Sequence, residues 1–167
     1  MKCGSERWSV KTLSDQDARA VVTAPKHTTV RQLRVLVPPK TLPQAARIAP
    51  TELTTFQLKA TVQVFKLEDD RDFHVVISEP DNPYETMIVE FPDAAVCSGA
   101  VDSSFKDAMQ QARDAFVSIC GKPNTSFRTC KADVDIIGVG FFDFIHGQNG
   151  VAPNGIELHP VLKITKE

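Results

Sequence analysis

Five polar side chains have the types and spacing to share chemistry: His74, Glu90, His146, Glu157 and His159. Imidazole changes charge near neutral pH and ligates metals through either ring nitrogen. Carboxylates supply anionic ligands and, when their surroundings shift them, general acids or bases. His159, Glu157 and Glu90 form the metal-capable subset, which makes a divalent metal the candidate cofactor.

Whether these groups meet depends on the strands that carry them. Successive side chains of a strand point to opposite faces. Phe73, Val75 and Ile77 then share a face, as do Met87, Val89 and Phe91 in the next apolar segment, and His74 and Glu90 take the other side. In the last segment, 156–164, Leu158, Leu162 and Ile164 read as inward, which sends Glu157 and His159 outward together. Outward His and Glu also fit a plain alternative, a solvated surface or one hydrogen-bonded to a covering arm.

The remaining elements follow from periodicity. Phe56, Leu58, Ala60, Val62 and Val64 alternate, and then the apolar phase slips to Phe65 and Leu67. Such a slip marks a bulge, the device that bends a strand around a barrel. Strands follow over 72–78 and 86–91, separated by the turn Pro80-Asp81-Asn82-Pro83. Phe105, Met109, Ala112, Phe116 and Ile119 form one helical stripe, opened by Asp102, Ser103 or Ser104 and closed by Gly121 and Pro123. Two more strands, 134–144 and 156–164, flank a Gly- and Asn-rich loop at 145–155.

That order is β-β-β-α-β-β. It predicts a mainly β fold with one helix, a five-stranded OB-like (oligonucleotide/oligosaccharide-binding) barrel over 51–167, with an open α+β sandwich as the alternative. Residues 1–50 read as an irregular N-terminal arm packed on the barrel, with a short strand at Arg7–Thr12 and a helix from Thr28 or Thr29 to Leu36. In such barrels strands two and three and the loops 68–72 and 145–155 form the usual ligand face, and strand five lies beside strand three. Glu90, Glu157 and His159 would then gather on one surface, with His74 near and His146 at the loop mouth.

Other constellations are weaker. Asp70, Arg71 and Asp72 in the acidic turn after Glu68 could serve calcium-assisted phosphodiester cleavage, but no second arginine is placed to clamp a phosphate. Phe141, Phe142 and Phe144 could stack on bases or sugars, although alternating aromatics in a barrel strand usually fill core. No Gly-x-Ser-x-Gly frame or phosphate-binding loop occurs. Cys3, Cys97, Cys120 and Cys130 lack zinc-finger spacing, and their even number suits two disulfides. One bridge is expected among Cys97, Cys120 and Cys130, with Cys3 taking the third. The start Met1-Lys2-Cys3-Gly4 reads as that of a trimmed mature chain. The disulfides point to a secreted or periplasmic location.

The chain has 167 residues and a formal net charge of −2, so nucleic acid is not a favoured partner. No apolar run is long enough to span a bilayer. Cys3-Gly4 followed by Glu6-Arg7-Trp8-Ser9-Val10-Lys11-Thr12, the middle segments 72–77 and 86–92, and the stretch from Gly138 through His146-Gly147-Gln148 to Ala152-Pro153-Asn154-Gly155-Ile156-Glu157-Leu158-His159-Pro160-Val161-Leu162 resemble a family of small exported bacterial proteins. The resemblance implies placement and export rather than a particular activity. It marks His74, Glu90, His146, Glu157 and His159 as motif positions and adds Gln148 and Asn154, loop amides that both donate and accept, as ligand-binding candidates. The expectation is a monomeric, exported binding module with a ligand still to be identified. The alternatives are a metal-dependent hydrolase, of which a phosphodiesterase is one form, and a structural or interaction domain.

Overall fold

A computed structural model describes residues 2–4 and 6–167. Met1, part of the start read above as trimmed, lies outside the described residues. In chain order the elements are α1 (Trp8–Lys11), β1 (Val22–His27), α2 (Val30–Arg34), β2 (Thr54–Leu67), β3 (Phe73–Glu79), β4 (Asn82–Phe91), α3 (Lys106–Cys120), β5 (Arg128–Thr129), β6 (Asp133–Phe142) and β7 (Ile156–Lys166). Short 3-10 turns occupy Gln16–Ala20 and Thr51–Leu53.

The protein is mainly β, with seven strands in one sheet. β2 pairs antiparallel with β3, β3 with β4, and β7 with β6, while β4 runs parallel to β7. β6 also pairs antiparallel with β2, so the path β2–β3–β4–β7–β6 returns to its first strand. The long β2 makes this geometry possible. Its first half lies against β6 and its second half against β3. The β2–β3 register shifts between Val62 and Val64, just ahead of the slip expected after Val64, so Val64 stays out of the core cluster and Phe65 enters it. The extra residue, Gln63, turns its amide to the Ser78 hydroxyl at 2.8 Å.

Side-chain parity explains the core. Phe56, Leu58, Ala60, Val62 and Phe65 of β2 bury with Phe73, Val75, Ile77, Met87, Val89 and Phe91. α3 contributes Ala112 and Phe116 to this cluster. The Phe116 ring lies 5.2 Å from Phe65 and 5.0 Å from Phe91, an aromatic nest that anchors the helix. Parity fails at Val64 of β2, which the bulge keeps out of the core, and again on β7. Val161, not Leu162, enters the main core. The β6–β7 register shifts on both sides of Gly138, and Leu162 turns instead toward the arm and the Cys97 region.

The arm differs most from expectation. Arg7–Thr12 is a helical turn rather than a strand, and β1, unmarked in the sequence, runs parallel to the start of β2. The predicted second arm helix is present, with the Thr29 hydroxyl accepting from the Gln32 amide at 3.0 Å. Two buried arginines fix the arm. Arg7 forks onto Glu52 at 2.7 and 2.8 Å and also donates to the carbonyls of Pro43, Ala46 and Phe142. Arg47 forks onto Asp15 at 2.9 and 2.6 Å. Bidentate pairing with a carboxylate, completed by backbone carbonyls, is the geometry in which a buried charge is tolerated, and Arg7 uses all five of its donors this way.

Two disulfides complete the frame, Cys3–Cys97 and Cys120–Cys130. The first ties the arm to the segment between β4 and α3. Its sequence separation of 94 makes it the larger constraint on the unfolded chain, about 4–5 kcal/mol by loop-closure entropy. No helix among the described residues is long and apolar enough to cross a membrane.

Candidate functional site

The face of β3, β4 and β7 turned away from the core carries a row of ionisable groups. His74 lies directly opposite Glu90 in the β3–β4 register. Ile88 is paired with Glu157 across β4 and β7, so two residues further along Glu90 reaches His159. Asp72 enters the same row because it precedes His74 by two. Four predicted residues are thus brought together: His74, Glu90, Glu157 and His159.

They are not a solvent-exposed patch, as alternation alone suggested. The exposures of His159, Glu157, His74 and Glu90 are 0, 2, 3 and 9%. The cover comes from the arm and from Phe141, whose ring stands edge-on to His159 with centroids 5.5 Å apart. Arg7 and Lys11 lie over that ring at 4.7 and 5.4 Å. Lys11 then reaches Asp143 at 3.0 Å.

His159 occupies the centre. Its Nε2 is 3.2 Å from Asp72 Oδ2, and its Nδ1 is 3.3 Å from Glu90 Oε2 and 3.9 Å from Glu157 Oε2. These approaches are close but off the ring N–H directions. Both His159 nitrogens, both Asp72 oxygens and Glu157 Oε2 are buried without a hydrogen-bond partner. Such atoms are rare in folded proteins because each costs a desolvation penalty. Glu90 is better held: Oε1 meets His74 Nδ1 at 3.2 Å, and His74 Nε2 meets the Asn149 carbonyl at 3.0 Å. A carbonyl can only accept, so Nε2 carries a proton. Donation from Nδ1 to Glu90 then requires the imidazolium.

The charges are strongly displaced. Burial disfavours the His159 cation, but Asp72, Glu157 and Glu90 outweigh it and raise the ring to about 9. Burial pushes Asp72 up against the pull of His159. Burial, helped by Glu90 and Asp143, raises Glu157 to about 7 despite His159. Glu90 goes the other way, since His74, His159 and Lys11 together overcome its burial and hold it well below the carboxylate range. Burial also opposes the charges of Lys11 and His74. Asp143, Glu90 and Glu157 still raise Lys11, and Glu90 with the Asn149 carbonyl raises His74. The cluster therefore keeps a fixed Glu90 anion beside a Glu157 that exchanges its proton near neutrality, a pattern enriched at functional sites.

Above the row lies a cleft of about 280 Å³. Glu68, Asp69, Asp70, Glu90, Asp143 and Glu157 line it, with Lys11, His74, His146 and Gln148. The loop predicted at 145–155 forms its rim. Gly150 has φ +81°, and a Cβ there would stand 2.4 Å from Val76, so only glycine lets the loop come down far enough for Asn149 to meet His74. His146 stays exposed on the rim, and Gln148 braces the loop through the Phe144 carbonyl and the His146 amide. Neither joins the buried cluster.

Three readings need correction. Asn154 is not at the site. Its amide donates to the carbonyls of Leu33 and Leu36, closing the end of α2. Arg71 does not stand beside Asp70 and Asp72 as an anion clamp, because it pairs with Asp93 at 2.7 Å. Asp72 itself points inward to His159 rather than into the turn. Phe141 and Phe142 are buried as expected, but Phe144 is 36% exposed.

The sequence reading missed Lys11 and Asp143 and placed Asp72 in the wrong company. Parity carried a signal for Asp72, two residues before His74. Lys11 and Asp143 lay inside the resemblance motifs but showed no periodic pattern that aimed them.

No protein-family model and no curated protein matches the chain. Among solved structures it is similar to a putative aspartyl-tRNA synthetase from Leishmania major Friedlin, with 15% identity and a TM-score of 0.46, over 87% of this chain and 21% of that one. The chain thus spans about a fifth of that protein's length.

Proposed function

We propose that the chain is an exported, monomeric binding module of the OB-barrel type whose acidic cleft takes a cationic ligand. The pairing path that returns to β2, and the position of α3 between β4 and β6, support the barrel reading. The two disulfides support an oxidising compartment. The observation that carries the ligand class is the cleft wall, where six carboxylates face one lysine and two imidazoles. Lys11 is already engaged by Asp143 and His74 by Glu90, and Glu68 is paired with Lys66 at 3.1 Å, so the net negative charge of the mouth comes from Asp69 and Asp70. That surface attracts amines and guanidinium groups and repels phosphates, which disfavours nucleic acid. The cleft lies over β3 and β4 and the 145–155 loop, the face that OB barrels use.

The test is a thermal-shift panel on chelator-treated protein. Agmatine, spermidine, glucosamine and a Lys-Lys dipeptide are compared with AMP and oligo-dT. A cationic probe should stabilise the protein by about 2.7 kcal/mol at a hundredfold excess over its Kd. Asp69→Asn with Asp70→Asn should weaken that response without lowering the unliganded midpoint. Stabilisation by the anionic probes alone overturns the reading. Hydrolysis of bis-p-nitrophenyl phosphate on adding manganese or calcium would establish the hydrolase alternative in its place.

A further inference from the structure

We propose that Asp72, Glu90 and His159 form a binding site for one divalent transition cation of the Zn²⁺ or Mn²⁺ class, with the Glu157 carboxylate as an adjacent oxygen donor. The inference stands apart from the cationic-ligand reading, because this site lies beneath the cleft and is built from different atoms. One ligand atom from each of the three residues can be chosen so that all lie within 4.8 Å of one another, and all three residues are buried.

The second observation is the set of unpartnered atoms. Asp72 is fully buried, yet neither of its oxygens has a hydrogen-bond partner, and the same holds for both His159 nitrogens and Glu157 Oε2. A structural polar cluster would turn these groups into alignment with one another. Here they converge at 3.2–3.9 Å on His159 without doing so. A cation among them would take one His159 nitrogen together with carboxylate lone pairs, while the other ring nitrogen keeps its proton toward the carboxylate it faces.

Glu90 is arranged as a metal-bound carboxylate usually is. Oε1 is committed to His74, and His74 is held by the Asn149 carbonyl, which leaves Oε2 free toward His159. Outer partners of this kind orient metal ligands. Access is available because Glu90 and Glu157 also line the cleft. The donor set decides the metal class. One imidazole nitrogen with carboxylate oxygens suits zinc or manganese, whereas calcium takes about six to eight oxygens. Binding requires neutral His159, so the imidazolium releases its proton to solvent as the metal–nitrogen bond forms.

The experiment uses the intact, disulfide-bonded chain after EDTA treatment and removal of the chelator. Zn²⁺, Mn²⁺ and Ca²⁺ are titrated calorimetrically in two buffers of different ionisation enthalpy. One Zn²⁺ or Mn²⁺ per chain should bind at least tenfold more tightly than Ca²⁺, with proton release seen as a buffer-dependent heat. Asp72→Asn should weaken binding at least tenfold. Because Asp72 is fully buried and its replacement also tests folding, the wild-type chain carries a second readout: Mn²⁺ should broaden the His159 ring resonances and leave those of exposed His27 unchanged. Failure to bind Zn²⁺ or Mn²⁺ overturns the proposal, as does a preference for Ca²⁺ or a response confined to His27 or His146. A metal-free protein that still responds to spermidine would separate failure of this site from failure of the cleft.

Discussion

Replacing Glu157 with glutamine should stabilise the metal-free protein, and only above mildly acidic pH. Glu157 is fully enclosed, and its carboxyl is raised from an ordinary 4.5 to about 7. In the unfolded chain it ionises near 4.5. Between those values the folded state holds a proton that the unfolded state has lost, so stability falls as pH rises. Below 4.5 the two states are protonated alike and the penalty vanishes. Above 7 it is complete, at about 3 kcal/mol. Glutamine keeps the shape and the neutral character of the protonated acid. Wild type and Glu157→Gln should therefore match near pH 4.5 and diverge by up to about 3 kcal/mol at pH 8. Glu157 is 3.9 Å from His159, so part of the difference will appear as an altered His159 titration. Urea unfolding at four pH values, with disulfides intact and EDTA present, measures it. Parallel pH profiles for the two proteins, or a variant less stable at pH 8, would refute the account of Glu157 as a buried acid held against its preference.

Two further outcomes follow from the geometry. Arg7→Met should cost about 3–5 kcal/mol, because it strands the buried Glu52 carboxylate; denaturant unfolding should show much of that loss recovered when Glu52→Gln is added. Gly150→Ala should push the loop off Val76 and pull the Asn149 carbonyl from His74, lowering the His74 pKa in an NMR titration. Its stability cost should be about 1–3 kcal/mol, the range for overpacking.

Much of the frame was legible because it rests on period-two patterning. Phe56 to Val62, Phe73 to Ile77 and Met87 to Phe91 turned the expected faces to the core, and the bulge at Gln63 fell just ahead of the expected slip, which exchanged Val64 for Phe65 in the core. The same parity grouped His74, Glu90, Glu157 and His159 on one side. It could not report what lies above that side. Burial there comes from Arg7 and Lys11 on the arm and from Phe141, which stands far along the chain from both and meets them only through tertiary packing. β1 was illegible for a related reason. All six of its residues are exposed, so no burial pattern marks it, and its pairing to β2 is purely backbone. On β7, parity failed at Leu162 because it is an extra residue of that strand: Lys163 pairs with Ile137 and Val161 with the adjacent Gly138, so Leu162 has no partner position on β6.

The arm is therefore part of the site's electrostatics and not a wrapping added to a finished sheet. Glu90, Glu157 and Asp143 are gathered around Lys11, which α1 delivers and which the first disulfide and the Arg7–Glu52 pair hold in place. Without Lys11, Glu90 would lose one of the cations that keep it ionised, and Glu157 would lose one that opposes its rise. The buried acids would then compete for protons with only the two imidazoles to answer them. A chain that merely needed to close its sheet could place leucine or phenylalanine under the arm at lower cost. Retaining paired and unpaired ionic groups there makes sense if something charged enters from the cleft and meets them.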